Sequence, residues 1–189
     1  VSLSMTLKCN FILSILSLII FNLSSVAQTW TQVGSDIDGE TAGDRSGSSV
    51  ALSSDGSTVA IGAHLNDGNG TDAGHVRIYK NISGTWTQQG SDIDGENEGH
   101  ESGWSVALSS DGSIVAIGAD CNGFNDSNSG YVRVYKNTSG TWTQIGSDIN
   151  GEKSYDLSGY SVSLSSDGSI VAIGAPYNRG NGPNAGHVR

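Results

Sequence analysis

Ser105-Val106-Ala107-Leu108-Ser109, then Ser110-Asp111-Gly112-Ser113, then Ile114-Val115-Ala116-Ile117-Gly118-Ala119 is the stretch whose reading decides the fold. Apolar and small polar residues alternate in the first run, the period of a strand with one buried face. The Asp-Gly pair makes a tight turn because its glycine accepts positive φ. The second run has few polar residues and reads as a strand covered on both sides. A polar loop from Asp120 to Ser129 leads to Gly130-Tyr131-Val132-Arg133-Val134-Tyr135-Lys136, where tyrosines and arginine alternate with valine. That is a third strand with its valines inward and a mixed outer face. Asn137-Thr138-Ser139-Gly140 turns the chain, and Thr141-Trp142-Thr143-Gln144-Ile145-Gly146 supplies a fourth, more polar strand. The unit is a four-stranded antiparallel meander.

The same unit occurs three times at a spacing of 56 residues: Trp30-Thr31-Gln32 returns at Trp86 and Trp142, and Ser53-Ser54-Asp55-Gly56-Ser57 returns at 109–113 and 165–169. A meander cannot bury both faces of its sheet alone, whereas copies packed face to face around an axis can. No helix-period pattern of useful length follows residue 27, and glycine fills 27 of 189 positions, so the fold class is all-β. Four short strands per copy suit the blade of a β-propeller. A β-sandwich and a linear β-solenoid are the competing readings, the latter disfavoured because solenoid coils are usually much shorter than one copy here.

The blades are bracketed as residues 46–92, 102–148 and 158–189, the last stopping within its third strand at His187-Val188-Arg189. Propellers close with about four to eight blades, so the sequence is expected to be part of a longer, incomplete β-propeller. Residues 30–34 would then give an outer strand to the last blade and clasp the ring. A piece with open edges and uncovered apolar faces is expected to be marginal or prone to aggregate.

Residues 1–27 lie outside the repeat: Lys8 precedes an apolar run from Phe11 to Phe21, and Ser25-Val26-Ala27 carries small residues where a signal peptidase reads. This predicts a secretory signal peptide, with the mature chain starting at Gln28; an uncleaved anchor is the alternative. Without that segment the chain holds 19 acidic and 8 basic side chains, a formal charge of −11. Strong negative charge with no basic cluster argues against nucleic acid and anionic membrane surfaces as partners. Cys9 leaves with the signal, so Cys121 stands without an intrachain partner, read as a half-buried small hydrophobe with a reactive thiol or an intermolecular bridge as alternatives.

The succession Ser102-Gly103-Trp104-Ser105-Val106-Ala107, Asp111-Gly112, Ala116-Ile117-Gly118-Ala119 and Gly130-Tyr131-Val132-Arg133-Val134-Tyr135 resembles the FG-GAP repeat of integrin alpha-chain propellers and of many secreted microbial proteins. Gly47, Gly103 and Gly159 match the glycine of the Phe-Gly element, with Ser46, Ser102 and Ser158 in place of phenylalanine. Gly174-Ala175-Pro176 is the full Gly-Ala-Pro element, while Gly62-Ala63-His64 and Gly118-Ala119-Asp120 keep its first two residues. The resemblance implies a seven-bladed ring, in which some blades carry a calcium loop between the first two strands. Here that turn is only Ser-Ser-Asp-Gly-Ser, too short to surround a hard cation with six or more oxygens.

Functional candidates lie in the loops. Asn66, Asp67, Asn69 and Asp72 put oxygens at alternating positions and are candidate calcium ligands, against the reading that such residues bond their own backbone in Asx turns. No cofactor is expected beyond calcium at these residues. The acidic stretch Asp36-Ile37-Asp38-Gly39-Glu40 and its echoes at Asp92 and Asp148 read as interblade turns crossing toward the axis, with a cation or basic partner as the rival. Trp30, Trp86 and Trp142 read as anchors between blades. Trp104 and Tyr160 replace Ser48 near the start of the inner strand and are candidate partner-binding residues, a stacking platform for sugar, against simple core packing. Asn69, Asn81, Asn125 and Asn137 head glycosylation sequons in predicted loops, relevant only in a host that glycosylates.

No catalytic residues are assigned: the four histidines are scattered, His75 and His187 share one framework position, and no nucleophile elbow or His-Glu-x-x-His helix occurs. The expectation is a secreted or cell-surface, non-catalytic scaffold for adhesion or for recognition of a protein or carbohydrate ligand. The alternative is the propeller portion of an extracellular hydrolase or lyase with its catalytic residues or domain beyond Arg189.

Overall fold

The computed structural model describes residues 29–121 and 128–189; the expected signal peptide and Asn125 lie outside them. The chain divides into two units, Val1–Thr31 and Gln32–Arg189. Of the first, residues 29–31 are described, without secondary structure and with Trp30 exposed. The second holds every described strand, and no helix occurs among the described residues.

The first sheet runs β1 (Ser49–Leu52), β2 (Thr58–Ala63), β3 (His75–Ile82) and β4 (Thr85–Gln88), each antiparallel to the next, with β5 (Ile93–Asp94) beside the first half of β3. The second repeats it as β6 (Ser105–Leu108), β7 (Ile114–Ala119), β8 (Tyr131–Thr138), β9 (Thr141–Gln144) and β10 (Ile149–Asn150). The third comprises β11 (Ser161–Leu164), β12 (Val171–Ala175) and β13 (His187–Val188). The expected meander is therefore present, built into propeller-like blades.

Asp55, Asp111 and Asp167 fasten the turns between first and second strands. Each carboxylate accepts from a serine hydroxyl two residues earlier and a backbone N–H two residues later, as Asp111 does from Ser109 and Ser113. These bonds, the serine hydroxyl foremost, hold Asp55 and Asp167 down at about 2 and lower Asp111 as well.

The blades stack face to face. Ala60, Val76, Ile78 and Ile93 of the first pack on Val115 and Ile117 of the second, with Val106 and Leu108 beside them. The other face of the second blade, Ala116 and Val132, packs on Ile173, Val162, Leu164 and Val171 of the third. Strand alternation gives β7 a bulky face and a small face, so the bulky side of each blade enters the small side of its predecessor. The inner strands lie side by side, β1 against β6 and β6 against β11.

Glycine makes the close approach possible. A Cβ on Gly62 would sit 2.1 Å from Gly103 O, and one on Gly118 would sit 2.2 Å from Gly159 O. Those carbonyls also accept from Ser49 Oγ and Ser105 Oγ of the preceding blade, both at 2.7 Å. Ser54 N–H donates to Ser110 O, and Ser110 N–H to Ser166 O. The indole N–H of Trp86 donates to Val33 O and that of Trp142 to Gln89 O, so these tryptophans do anchor one repeat to the previous one. Residues 30–34, expected as a closing strand, carry no strand pairing among the described residues.

One expectation is corrected. The acidic stretches are more than turns, since Ile93–Asp94 and Ile149–Asn150 extend the blade as β5 and β10. On the mixed outer face of the third strand, Arg77 and Arg133 are buried. Arg77 donates to Asp38 O at 2.7 Å and lies 3.4 Å from Glu40. Arg133 grips Asp148 through two hydrogen bonds, at 2.8 and 2.7 Å, and reaches Glu96 at 2.7 Å. A buried guanidinium needs such partners, so the acids serve the fold.

Candidate functional site

The register Ser49↔Gly62 and Ser105↔Gly118 places the start of each inner strand beside the end of the second strand. The segment entering a blade and the loop leaving its second strand thus meet at one end. At this end the three copies diverge: Arg45, Glu101 and Leu157 share one position; Ser48, Trp104 and Tyr160 another; His64, Asp120 and Pro176 a third; and Leu65, Cys121 and Tyr177 a fourth. The opposite end keeps the same Ser-Ser-Asp-Gly-Ser turn in all three.

Trp104 and Tyr160, singled out from the sequence, are brought together with ring centroids 5.7 Å apart. His64 also meets Trp104, edge-on at 4.9 Å. These three and Ser48 line a cleft of about 250 Å³, in which Tyr160 is 45% exposed and His64 buried. Ser48 Oγ lies 2.9 Å from His64 Nδ1 and also donates to Gly62 O at 3.3 Å. Burial, followed by the charge of Arg45, lowers the His64 pKa, so the ring is neutral at pH 7 and presents an uncharged aromatic edge. No carboxylate hydrogen-bonds the His64 ring among the described residues, so the Ser48–His64 pair lacks the third member of a hydrolytic triad.

Three of the four calcium candidates, Asn66, Asp67 and Asn69, have side chains bonded to protein groups, within their loop and beyond it. Asn66 donates to Asp44 and accepts from Gly68 N–H, and Asp67 accepts from Asp72 N–H at 2.8 Å. Asn69 donates to the carbonyls of Gly95 and Glu96. Of the sequon asparagines, Asn81 and Asn137 lie within β3 and β8 rather than in loops. Their carbonyls accept from Gly84 and Gly140 N–H, and their amide nitrogens, where a glycan would attach, are buried.

Two groups of metal-capable side chains converge; the first takes Glu40 and Asp92 from the acidic stretches for which a cation was the rival reading and adds His75, and the second was missed in the sequence. Glu40, His75 and Asp92 converge within 4.8 Å, with His75 buried between the two acids. Glu101, Asp120 and Cys121 converge within the same distance. Burial, with Glu101 adding to it, pushes Asp120 up to about 6, and burial together with Asp120 and Glu101 pushes the Cys121 thiol up to about 12. Cys121 is half-buried as expected, but its surroundings are two carboxyl groups rather than an apolar pocket. A signal was available: Arg45, His64 and Leu65 in the first copy all become potential ligands in the second.

Residues 35–79, the approach to the first blade and most of its first three strands, match the family model described as FG-GAP repeat. The match supports assignment of these residues to the FG-GAP and integrin-alpha family of β-propellers. No curated protein matches the chain.

Proposed function

We propose that this chain is a secreted or cell-surface β-propeller scaffold of the seven-bladed type, non-catalytic, that recognises a carbohydrate or protein ligand in adhesion. The observation that carries the reading is the concentration of sequence divergence at one end of otherwise near-identical blades, where His64, Trp104 and Tyr160 from three successive copies form one aromatic row. A fixed framework with a varied, partly exposed aromatic surface is how loops serve recognition. Extracellular placement rests on the family assignment and on the signal-like residues 1–27.

The test is titration with soluble neutral polysaccharides and extracellular-matrix protein fragments, read by tryptophan fluorescence and by surface plasmon resonance. A ligand that binds the parent chain should bind Trp104→Ala and Tyr160→Ala at least about tenfold more weakly, the loss of one or two stacking contacts. Equal binding by both variants, with their folds intact, places recognition elsewhere and defeats this assignment.

A further inference from the structure

We propose that Glu101, Asp120 and Cys121 form a binding site for a thiophilic divalent cation, of which zinc is the natural representative. The proposal is independent of ligand recognition at the aromatic row.

Glu101 belongs to the turn entering the second blade and holds a positive φ of 54°. Asp120 and Cys121 directly follow β7, and the antiparallel register of β6 and β7 closes the distance between the two segments. One ligand atom from each residue lies within 4.8 Å of the other two, close enough for one ion to gather all three with small side-chain rotations. Asp120 is only 4% exposed, and its Oδ1 has no hydrogen-bond partner. A buried carboxylate oxygen left unpaired costs free energy in the absence of a cation. Cys121 and Glu101 are only half-buried, which gives an ion a path from solvent.

The donor set selects the ion. Calcium takes six to eight oxygens, and a thiol is a poor ligand for it. One sulfur with two carboxylates suits zinc, which accepts Cys, Asp and Glu in a four-coordinate shell whose last place water fills. On binding, the thiol proton passes to solvent as the zinc–sulfur bond forms, leaving the cluster with three anionic ligands around a dication. The site is particular to this blade, for the first copy has Arg45, His64 and Leu65 there and the third has Leu157, Pro176 and Tyr177.

The experiment uses cobalt(II) as a coloured probe on the full chain, with zinc and calcium as competitors and circular dichroism as the check of fold. Expected are one cobalt per chain, a thiolate-to-cobalt charge-transfer band, and its displacement by one equivalent of zinc but not by millimolar calcium. Cys121→Ser should abolish the band and Cys9→Ser should leave it. Asp120→Asn and the more exposed Glu101→Gln should each weaken cobalt binding at least about tenfold. A folded parent chain with no band overturns the proposal. So does a band that survives both carboxylate substitutions, which marks a lone surface thiol, and so does displacement by calcium.

Discussion

Replacing Gly118 by alanine tests the stacking of the blades at its tightest point. The new methyl would meet Gly159 O at 2.2 Å and Ser105 Oγ at 2.3 Å, and the first of these is backbone of the next blade that cannot rotate away. Relief requires the second and third blades to separate, which also breaks the 2.7 Å bond from Ser105 Oγ to Gly159 O. Overpacking of a methyl costs about 1–3 kcal/mol, and a hydrogen bond lost with its acceptor left buried adds about 1–2 kcal/mol. The sum, about 2–5 kcal/mol, is a large part of the stability of a domain and corresponds to a Tm lower by roughly 10 °C. Gly140→Ala is the control: Gly140 has φ 89° but nothing within 4 Å, so only backbone strain of about 1–2 kcal/mol applies. Urea unfolding followed by tryptophan fluorescence reads both. A Gly118→Ala chain no less stable than Gly140→Ala would refute the claim that the Gly-Ala-Pro glycine is there for contact between blades.

With EDTA present, stability should fall as pH rises from about 4 to about 6. The folded-state pKa of Asp120, about 6, exceeds its usual 3.8, so in that window the folded chain holds a proton the unfolded chain has released. Asp120→Asn should reduce the decline, the rest coming from Asp94 and Glu101, which burial also raises, and leave the chain about 2 kcal/mol more stable near pH 7, after discounting for solvent screening; an unchanged profile refutes the assignment. Asp55 and Asp167 have the opposite sign: held at about 2, they favour folding above 3.8, and that contribution disappears as pH drops from 3.8 toward 2. Trp142→Phe, which keeps the ring but loses the donor to Gln89 O, should cost about 1 kcal/mol in urea melts, and no measurable cost would mean the indole bond is dispensable. Leu108→Ala should cost about 2 kcal/mol while Leu52→Ala, at the same repeat position but 61% exposed, should cost under about 0.5 kcal/mol; equal costs would show that something covers the first blade in solution.

The strands of the meander were legible because alternation and an Asp-Gly turn are local properties. β5 and β10 were not, since two residues carry no periodicity and each forms only because a third strand already lies beside it. Alternation placed Arg77 and Arg133 correctly on the face opposite the valines. It had no means of telling that Glu40 and Glu96, each 37 positions earlier, return to cover that face. Neighbouring chemistry altered even the repeated contacts. In the first copy Asp92 is drawn toward His75, and Arg77 Nε stays unpaired. In the second, Tyr131 stands where His75 does and Asp148 turns to Arg133, whose guanidinium also lies over the tyrosine ring at 4.7 Å. Trp104 and Tyr160 were found because they replace a serine in an otherwise constant frame. Glu101, Asp120 and Cys121 were missed because their convergence depends on a register that single residues do not reveal.

The division between fixed and varied positions follows from strand geometry. Contacts between blades use Gly62 and Gly103, with their repeats Gly118 and Gly159, where a Cβ would enter the neighbouring backbone, and the hydroxyls of Ser49 and Ser105. Position 48, between Gly47 and Ser49, has its side chain turned toward His64 and Gly62 O instead, and positions 64 and 65 fall after the last paired residue of β2. Ser48, Trp104 and Tyr160 can therefore differ without disturbing the stack, and so can His64, Asp120 and Pro176. A repeat protein that binds different groups with successive copies needs such positions, close to a rigid contact but outside it. The aromatic row and the Glu101–Asp120–Cys121 cluster both occupy them, which is why one blade can gain ligands for a metal while its neighbours keep the same fold.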